Sequence, residues 1–173
     1  TVTTVYTVTG SNGTCSNTRT ISLTVNTTPT VTALVSPTVI CAGSSATLTG
    51  GGAVTYTWNP GGLTGATAVV NPTTTTTYTV TGSNGACSNT ATVNLLVNGN
   101  PTLTASSSPT AICSGTGATS TLTATGAVTY TWNPGSLSGA AVTVTPATTT
   151  VYTVTGTNAA GCTSTRTVNV IVN

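Results

Sequence analysis

The chain has 173 residues, and charged side chains make up 1 % of it: Arg19 and Arg166 are the only ionic groups, with no Asp, Glu, His or Lys. General acid–base catalysis normally uses one of the missing residue types, so the composition speaks strongly against it, and against calcium binding through carboxylates. Two isolated arginines make no basic stripe, so a nucleic-acid partner is excluded too, and no run of 18 apolar residues offers a membrane span. What remains is a chain saturated with Thr and Val, residues that suit a pleated sheet, and lacking Phe and Met. Weak colloidal repulsion predisposes such a surface to self-association.

The first 26 residues read as a hairpin. Two alternating runs flank Asn12-Gly13, a turn pair that tolerates positive φ. Tyr6 and Val8 lie on one arm, and Ile21, Leu23 and Val25 share a face on the other. The same pattern returns around Tyr78 and around Tyr152. A joint at residues 26–29 follows, then a strand near residues 30–34, the Ile40-Cys41-Ala42-Gly43 loop and a strand at residues 46–49. Next comes Gly52-Ala53-Val54-Thr55-Tyr56-Thr57-Trp58-Asn59-Pro60-Gly61, where period-two alternation predicts Val54, Tyr56 and Trp58 on one buried face. Proline and glycine end that strand. A short strand at residues 68–71 precedes the Tyr78 hairpin.

Residues 99–173 repeat this order, with Tyr130 and Trp132 in the central strand and Tyr152 in the last hairpin. Trp58 and Trp132 are 74 apart, as are Tyr78 and Tyr152, a period that suits a small sandwich domain rather than a solenoid unit. No segment has helical periodicity or capping boxes. The predicted fold is all-β: tandem immunoglobulin-like β-sandwich repeats of about 74 residues, with a C-terminal hairpin remnant at 1–26 and full repeats at 27–98 and 99–173. The chain opens in mid-repeat, so a longer precursor is expected. The predicted core aromatics are Tyr56, Trp58, Tyr78, Tyr130, Trp132 and Tyr152. The predicted assembly element is the lone hairpin, whose Tyr6, Val8, Ile21, Leu23 and Val25 lack the strands that should cover them.

Five cysteines follow the repeat: Cys41 with Cys87, Cys113 with Cys162, and Cys15 in the place of Cys87 with its partner outside the remnant. Paired cysteines in small β repeats read as disulfides of an oxidising compartment. Pairing within each repeat is the favoured expectation. Cys15–Cys41 with Cys87–Cys113, or bonds between chains, keep the same counts. In a standard sandwich the loop and the hairpin tip lie at opposite ends, so pairing within a repeat would need a non-standard path for residues 36–45. No metal set is expected, because histidine and close Cys-x-x-Cys spacing are missing. No cofactor is expected either.

Other features have bland readings. The threonine rows Thr55/Thr57, Thr79/Thr81 and Thr153/Thr155 are solubilising sheet faces rather than ice or carbohydrate sites. Arg19 and Arg166 are solvated strand positions. Leu96 and Ile171 interrupt the polar face of the last strand, as lateral contacts or inter-sheet edge positions. Asn12-Gly13-Thr14 and Asn26-Thr27-Thr28 have the glycosylation acceptor pattern.

The run from "PTVTA…ICAGSSATLTGGGAVTYTWNPGG" to "TTTTTYTVTGSNGACSNTATVNLLVN" resembles the tandem Ig-like (PKD-like) repeats of large secreted and cell-surface proteins of Bacteroidota-type bacteria. The resemblance covers both full repeats. It implies a β-sandwich, export to the cell surface or beyond, and a role as stalk, adhesin or filament. Typical members carry Asp and Glu, and their loss here speaks against calcium-dependent adhesion. The expected function is a structural segment of an extracellular fibre or surface stalk, with neighbouring repeats or other copies as partners and no enzymatic activity. The alternative is an adhesin or carbohydrate-binding module whose repeats space a binding tip, with glycan stacking on Trp58 or Trp132.

Overall fold

The computed structural model describes residues 2–115 and 117–173. Threonine- and valine-rich runs of alternating polarity form strands throughout. The first two, β1 (Val2–Ser11) and β2 (Ser16–Val25), pair only with each other, as an antiparallel hairpin. Tyr6 faces Ile21, Thr4 faces Leu23 and Val8 faces Arg19 across the ladder.

Eight strands follow: β3 (Thr32–Ser36), β4 (Val39–Cys41), β5 (Ala46–Gly51), β6 (Thr55–Asn59), β7 (Leu63–Thr64), β8 (Thr67–Val70), β9 (Thr76–Ser83) and β10 (Ser88–Asn98). They build a three-stranded sheet β3-β5-β8 and a five-stranded sheet β4-β10-β9-β6-β7. The order returns in β11 (Thr104–Ser108), β12 (Ala111–Ile112), β13 (Ser120–Thr125), β14 (Thr129–Asn133), β15 (Leu137–Ser138), β16 (Ala141–Val144), β17 (Thr150–Thr157) and β18 (Thr163–Val172). These form sheets β11-β13-β16 and β12-β18-β17-β14-β15. Two sheets facing across a core, antiparallel except where β4 and β12 add parallel to β10 and β18, and with the first strand of the repeat divided between them, make an immunoglobulin-like sandwich.

Alternation sets the core. In β6 and β14 the second and fourth residues are buried, namely Tyr56, Trp58, Tyr130 and Trp132. Both tryptophans are 0 % exposed. Around Trp132 the two sheets contribute Leu122, Ala124 and Val144 on one side and Tyr130, Tyr152, Val154 and Val170 on the other. Val54, expected on the buried face, is instead exposed, as is Val128. The strands begin one residue later, because Gly52 and Gly126 (φ +86° and +97°) turn the chain just before them. A Cβ there would lie 1.8 Å from Thr30 O or 1.9 Å from Thr102 O, so only glycine fits. The Tyr56 hydroxyl locks this turn, donating to Ala53 O at 2.7 Å and accepting from Ala53 N–H at 2.8 Å. Tyr130 does the same with Ala127.

The short parallel strands β4 and β12 have no antecedent in the sequence reading. Cys41 stands beside Asn98 at the end of β10, and Ile112 beside Val172 at the end of β18. Leu96 and Ile171 fall in these parallel ladders, opposite Val39 and Ala111, and both side chains remain exposed.

The residues group into two compact units: Thr1–Thr38, Ser45–Asn71 and Thr76–Leu95 in one, Val39–Ser44, Pro72–Thr75 and Leu96–Asn173 in the other. The loop after β4 belongs to the second because its backbone is tied there: Ala42 N–H donates to Asn98 O (2.9 Å), Gly43 N–H to Pro72 O (3.0 Å), and Asn100 Nδ2 to Ala42 O (3.2 Å).

Candidate functional site: a covalent joint and an uncovered hairpin

Neither tryptophan forms a stacking platform. Each indole is sealed in its core and donates its N–H to a backbone carbonyl, Trp58 to Gly65 O at 3.1 Å and Trp132 to Gly139 O at 3.0 Å. Burial pushes the Tyr78 and Tyr152 phenols above their ordinary value by disfavouring the phenolate. Two shallow surface grooves recur in equivalent places, one along Val54–Thr57 and Thr64–Ala66 and the other along Val128–Thr131 and Ser138–Ala140. Each measures about 400 Å³ and contains no charged side chain. Among the described residues, no three His, Cys, Asp or Glu side chains gather as a metal set. Arg166 is not merely solvated: its Nε donates to Leu103 O at 3.2 Å.

The chemistry lies in the cysteines. Cys41 is bonded to Cys162, with Cα atoms 5.6 Å apart and 121 residues between them in sequence. Neither set of pairings expected within the chain is formed. The favoured pairing within a repeat, Cys41–Cys87 and Cys113–Cys162, is replaced by a bond from the loop of one sequence repeat to the hairpin tip of the next. The reason is geometric. Residue 113 follows β12, which lies beside the far end of β18, whereas Cys162 lies just before that strand begins. Ten residues of extended strand separate the two by roughly 33 Å. A disulfide needs Cα atoms within about 7 Å. The non-standard path that such pairing required does not occur. Instead the loop cysteine reaches the end of its own repeat, where the next repeat begins.

Asn98 organises that meeting point. It faces Cys41 in the ladder, its carbonyl accepts the Ala42 N–H, and the Cys162 sulfur lies 3.8 Å from the same carbonyl. The hairpin tip is held over the joint by an asparagine. Asn158 Oδ1 accepts from the N–H groups of Ala160 and Cys162, both at 3.0 Å, while its Nδ2 donates to Gly99 O at 2.8 Å. From the sequence alone this residue has no assigned role. Its recurrence three or four residues before each hairpin cysteine was the available signal.

The hairpin β1–β2 presents the second feature. Tyr6 is 55 % exposed and Ile21 71 %, and Val2, Val8, Leu23 and Val25 are exposed as well. The counterparts of Tyr6 and Leu23 in the next hairpin are Tyr78, 5 % exposed, and Leu95, 0 %. The difference is the covering sheet, β3-β5-β8 in that repeat and β11-β13-β16 in the one after it. The residues named as an assembly face thus share one exposed side of a two-stranded sheet. Cys15, at its turn, carries a free exposed thiol, and Cys87 a free, partly exposed one.

No protein-family model matches the chain, and no curated protein matches it. Among solved structures, it is similar to part of a 1.5-MDa bacterial ice-binding adhesin studied for host cell surface retention, at 18 % identity over 99 % of this chain and 74 % of that one, with a TM-score of 0.38. It is similar to the amphioxus IgVJ-C2 molecule at 17 % identity, over 77 % of this chain and 99 % of that one, with a TM-score of 0.35. The N-terminal eight Ig domains of the Down Syndrome Cell Adhesion Molecule align at 14 % identity, over 98 % of this chain and 30 % of that one, with a TM-score of 0.39.

Proposed function

We propose that this chain is a structural segment of an extracellular fibre or cell-surface stalk, of the tandem Ig-like, PKD-like kind found in exported proteins of Bacteroidota-type bacteria. In this reading the segments 27–98 and 99–173 are its full repeats, and the hairpin at 1–26 is its assembly element. The observation that carries the proposal is the exposed apolar side of β1–β2, set against the buried state of Tyr78 and Leu95 in an equivalent hairpin. A two-stranded sheet with an open apolar face is marginal in water, and sandwich strands from a like repeat complete it by strand complementation. The loop-to-next-hairpin disulfide supports an oxidising, extracellular setting and covalent continuity along the array. The nearly uncharged surface supports close lateral and axial contact.

The alternative, an adhesin or carbohydrate-binding module, would use an aromatic platform, and Trp58 and Trp132 are fully buried. Light scattering and negative-stain imaging of the purified protein over rising concentration test the fibre reading. Elongated, concentration-dependent assemblies are expected. A strictly monomeric protein at millimolar concentration would overturn it.

A further inference from the structure

Cys87 stands in the same frame as Cys162. Its N–H donates to Asn84 Oδ1 at 3.0 Å, as that of Cys162 does to Asn158 Oδ1 at 3.0 Å. Asn84 Nδ2 donates to Thr27 O at 2.9 Å, as Asn158 Nδ2 does to Gly99 O at 2.8 Å. The Cys87 sulfur lies 3.7 Å from Asn26 O, and that of Cys162 lies 3.8 Å from Asn98 O. In the occupied frame, the Asn98 carbonyl also takes the N–H of the residue after the bonded loop cysteine. The Cys87 thiol is free. Asn26 immediately follows β2, the second arm of the uncovered hairpin. In both full repeats, the sheet that covers the hairpin comes with an Ile-Cys pair, Ile40-Cys41 or Ile112-Cys113, whose isoleucine is buried.

We propose that Cys87 is the acceptor half of an inter-repeat disulfide, and that its partner is the Ile-Cys cysteine of the strand set that covers β1–β2. The occupant is the covering strand set of a repeat of this same type, open where its closing hairpin belongs. This rests on the complementation reading above. One docking event does two things. The three-stranded sheet closes over Tyr6, Ile21 and Leu23, and a short parallel strand adds beside Thr24, Val25 and Asn26, bringing its cysteine to Cys87. Each thiol then loses a proton and one S–S bond forms. The two electrons pass, through a mixed disulfide, to a disulfide oxidant that leaves as two thiols. Cys15, whose N–H donates to Asn12 Oδ1 at 2.8 Å, is the same acceptor position one hairpin earlier.

The test mixes the 173-residue chain with an isotopically labelled polypeptide spanning residues 99–149. This probe carries β11 to β16 and Cys113 but no closing hairpin, and need not fold alone. Complex formation is read by native mass spectrometry with a Cys113→Ser version of the probe, and bond formation by non-reducing peptide mapping in a glutathione redox buffer. A 1:1 complex is expected with both probes. The labelled Cys113 peptide should be joined to the Cys87 peptide, and capture should fall at least tenfold in a Cys87→Ser chain that still binds the probe. A complex without the bond, or with the probe joined chiefly to Cys15, overturns the disulfide proposal and leaves complementation standing. Absence of any complex, or a hairpin-to-hairpin dimer of the chain alone, overturns complementation and the disulfide with it.

Discussion

Replacing Cys41 and Cys162 together by serine removes the only covalent link between loop and hairpin tip that the structure contains among its described residues. The bond closes 121 residues. In the chain-entropy account, a loop of that length restricts the unfolded ensemble by about 5 kcal/mol at 25 °C. Serine keeps a small polar group at both places, so packing losses are minor, and the ladder hydrogen bonds of Cys41 with Asn98 are main-chain and survive. For a chain of this size, 1 kcal/mol moves the melting midpoint by roughly 2–4 °C, so the double variant should melt about 10–20 °C lower. The assay is guanidinium and thermal unfolding of the oxidised wild type, the reduced wild type and the double variant, all at one protein concentration. Reduced wild type and variant should coincide. A difference between oxidised wild type and variant below about 1 kcal/mol would refute the reasoning. So would peptide mapping that recovers Cys41 joined to Cys87.

Three further expectations follow from the cores. Gly52→Ala should cost at least about 3 kcal/mol in denaturant unfolding, since the new Cβ meets Thr30 O at 1.8 Å and the backbone is left-handed. Gly50→Ala should stay within about 1 kcal/mol although its Cβ would lie 2.9 Å from a Tyr56 ring carbon, because Ala124 occupies the equivalent place in the next repeat and is buried. Trp132→Ala should cost about 3–5 kcal/mol, through the cavity it opens against Leu122, Val144 and Val154 and the lost bond to Gly139 O. With no Asp, Glu, His or Lys, unfolding free energy should be flat from about pH 2 to 8. Above about pH 10 it should fall, because the folded state holds the Tyr78 and Tyr152 protons to higher pH than the unfolded chain does. A marked acid transition in pH-dependent melting would contradict this.

The sandwich was readable because its determinants are local. Period-two alternation placed Tyr56, Trp58, Tyr130 and Trp132, and Asn12-Gly13 and Asn84-Gly85 marked the first two hairpins. Val54 misled because alternation has no memory of where a strand starts, and the turn at Gly52 sets that point. The disulfide partner was not readable. It depends on β4 adding parallel to the last three residues of β10, a pairing with a three-residue strand and no periodic signal of its own. Counting cysteines within a period presumed that each repeat closes on itself. The uncovered face of β1–β2, by contrast, followed from comparing one hairpin with its two copies.

The Cys41–Cys162 bond also decides how the chain answers tension. Force applied along the backbone from either end enters at Cys41 and leaves at Cys162, so the 121-residue span between them is bypassed. Contour length on the order of 400 Å cannot be paid out while the sulfurs stay joined. Such a chain behaves under load as a short tether with a chemically locked reserve, released by reduction rather than by pulling.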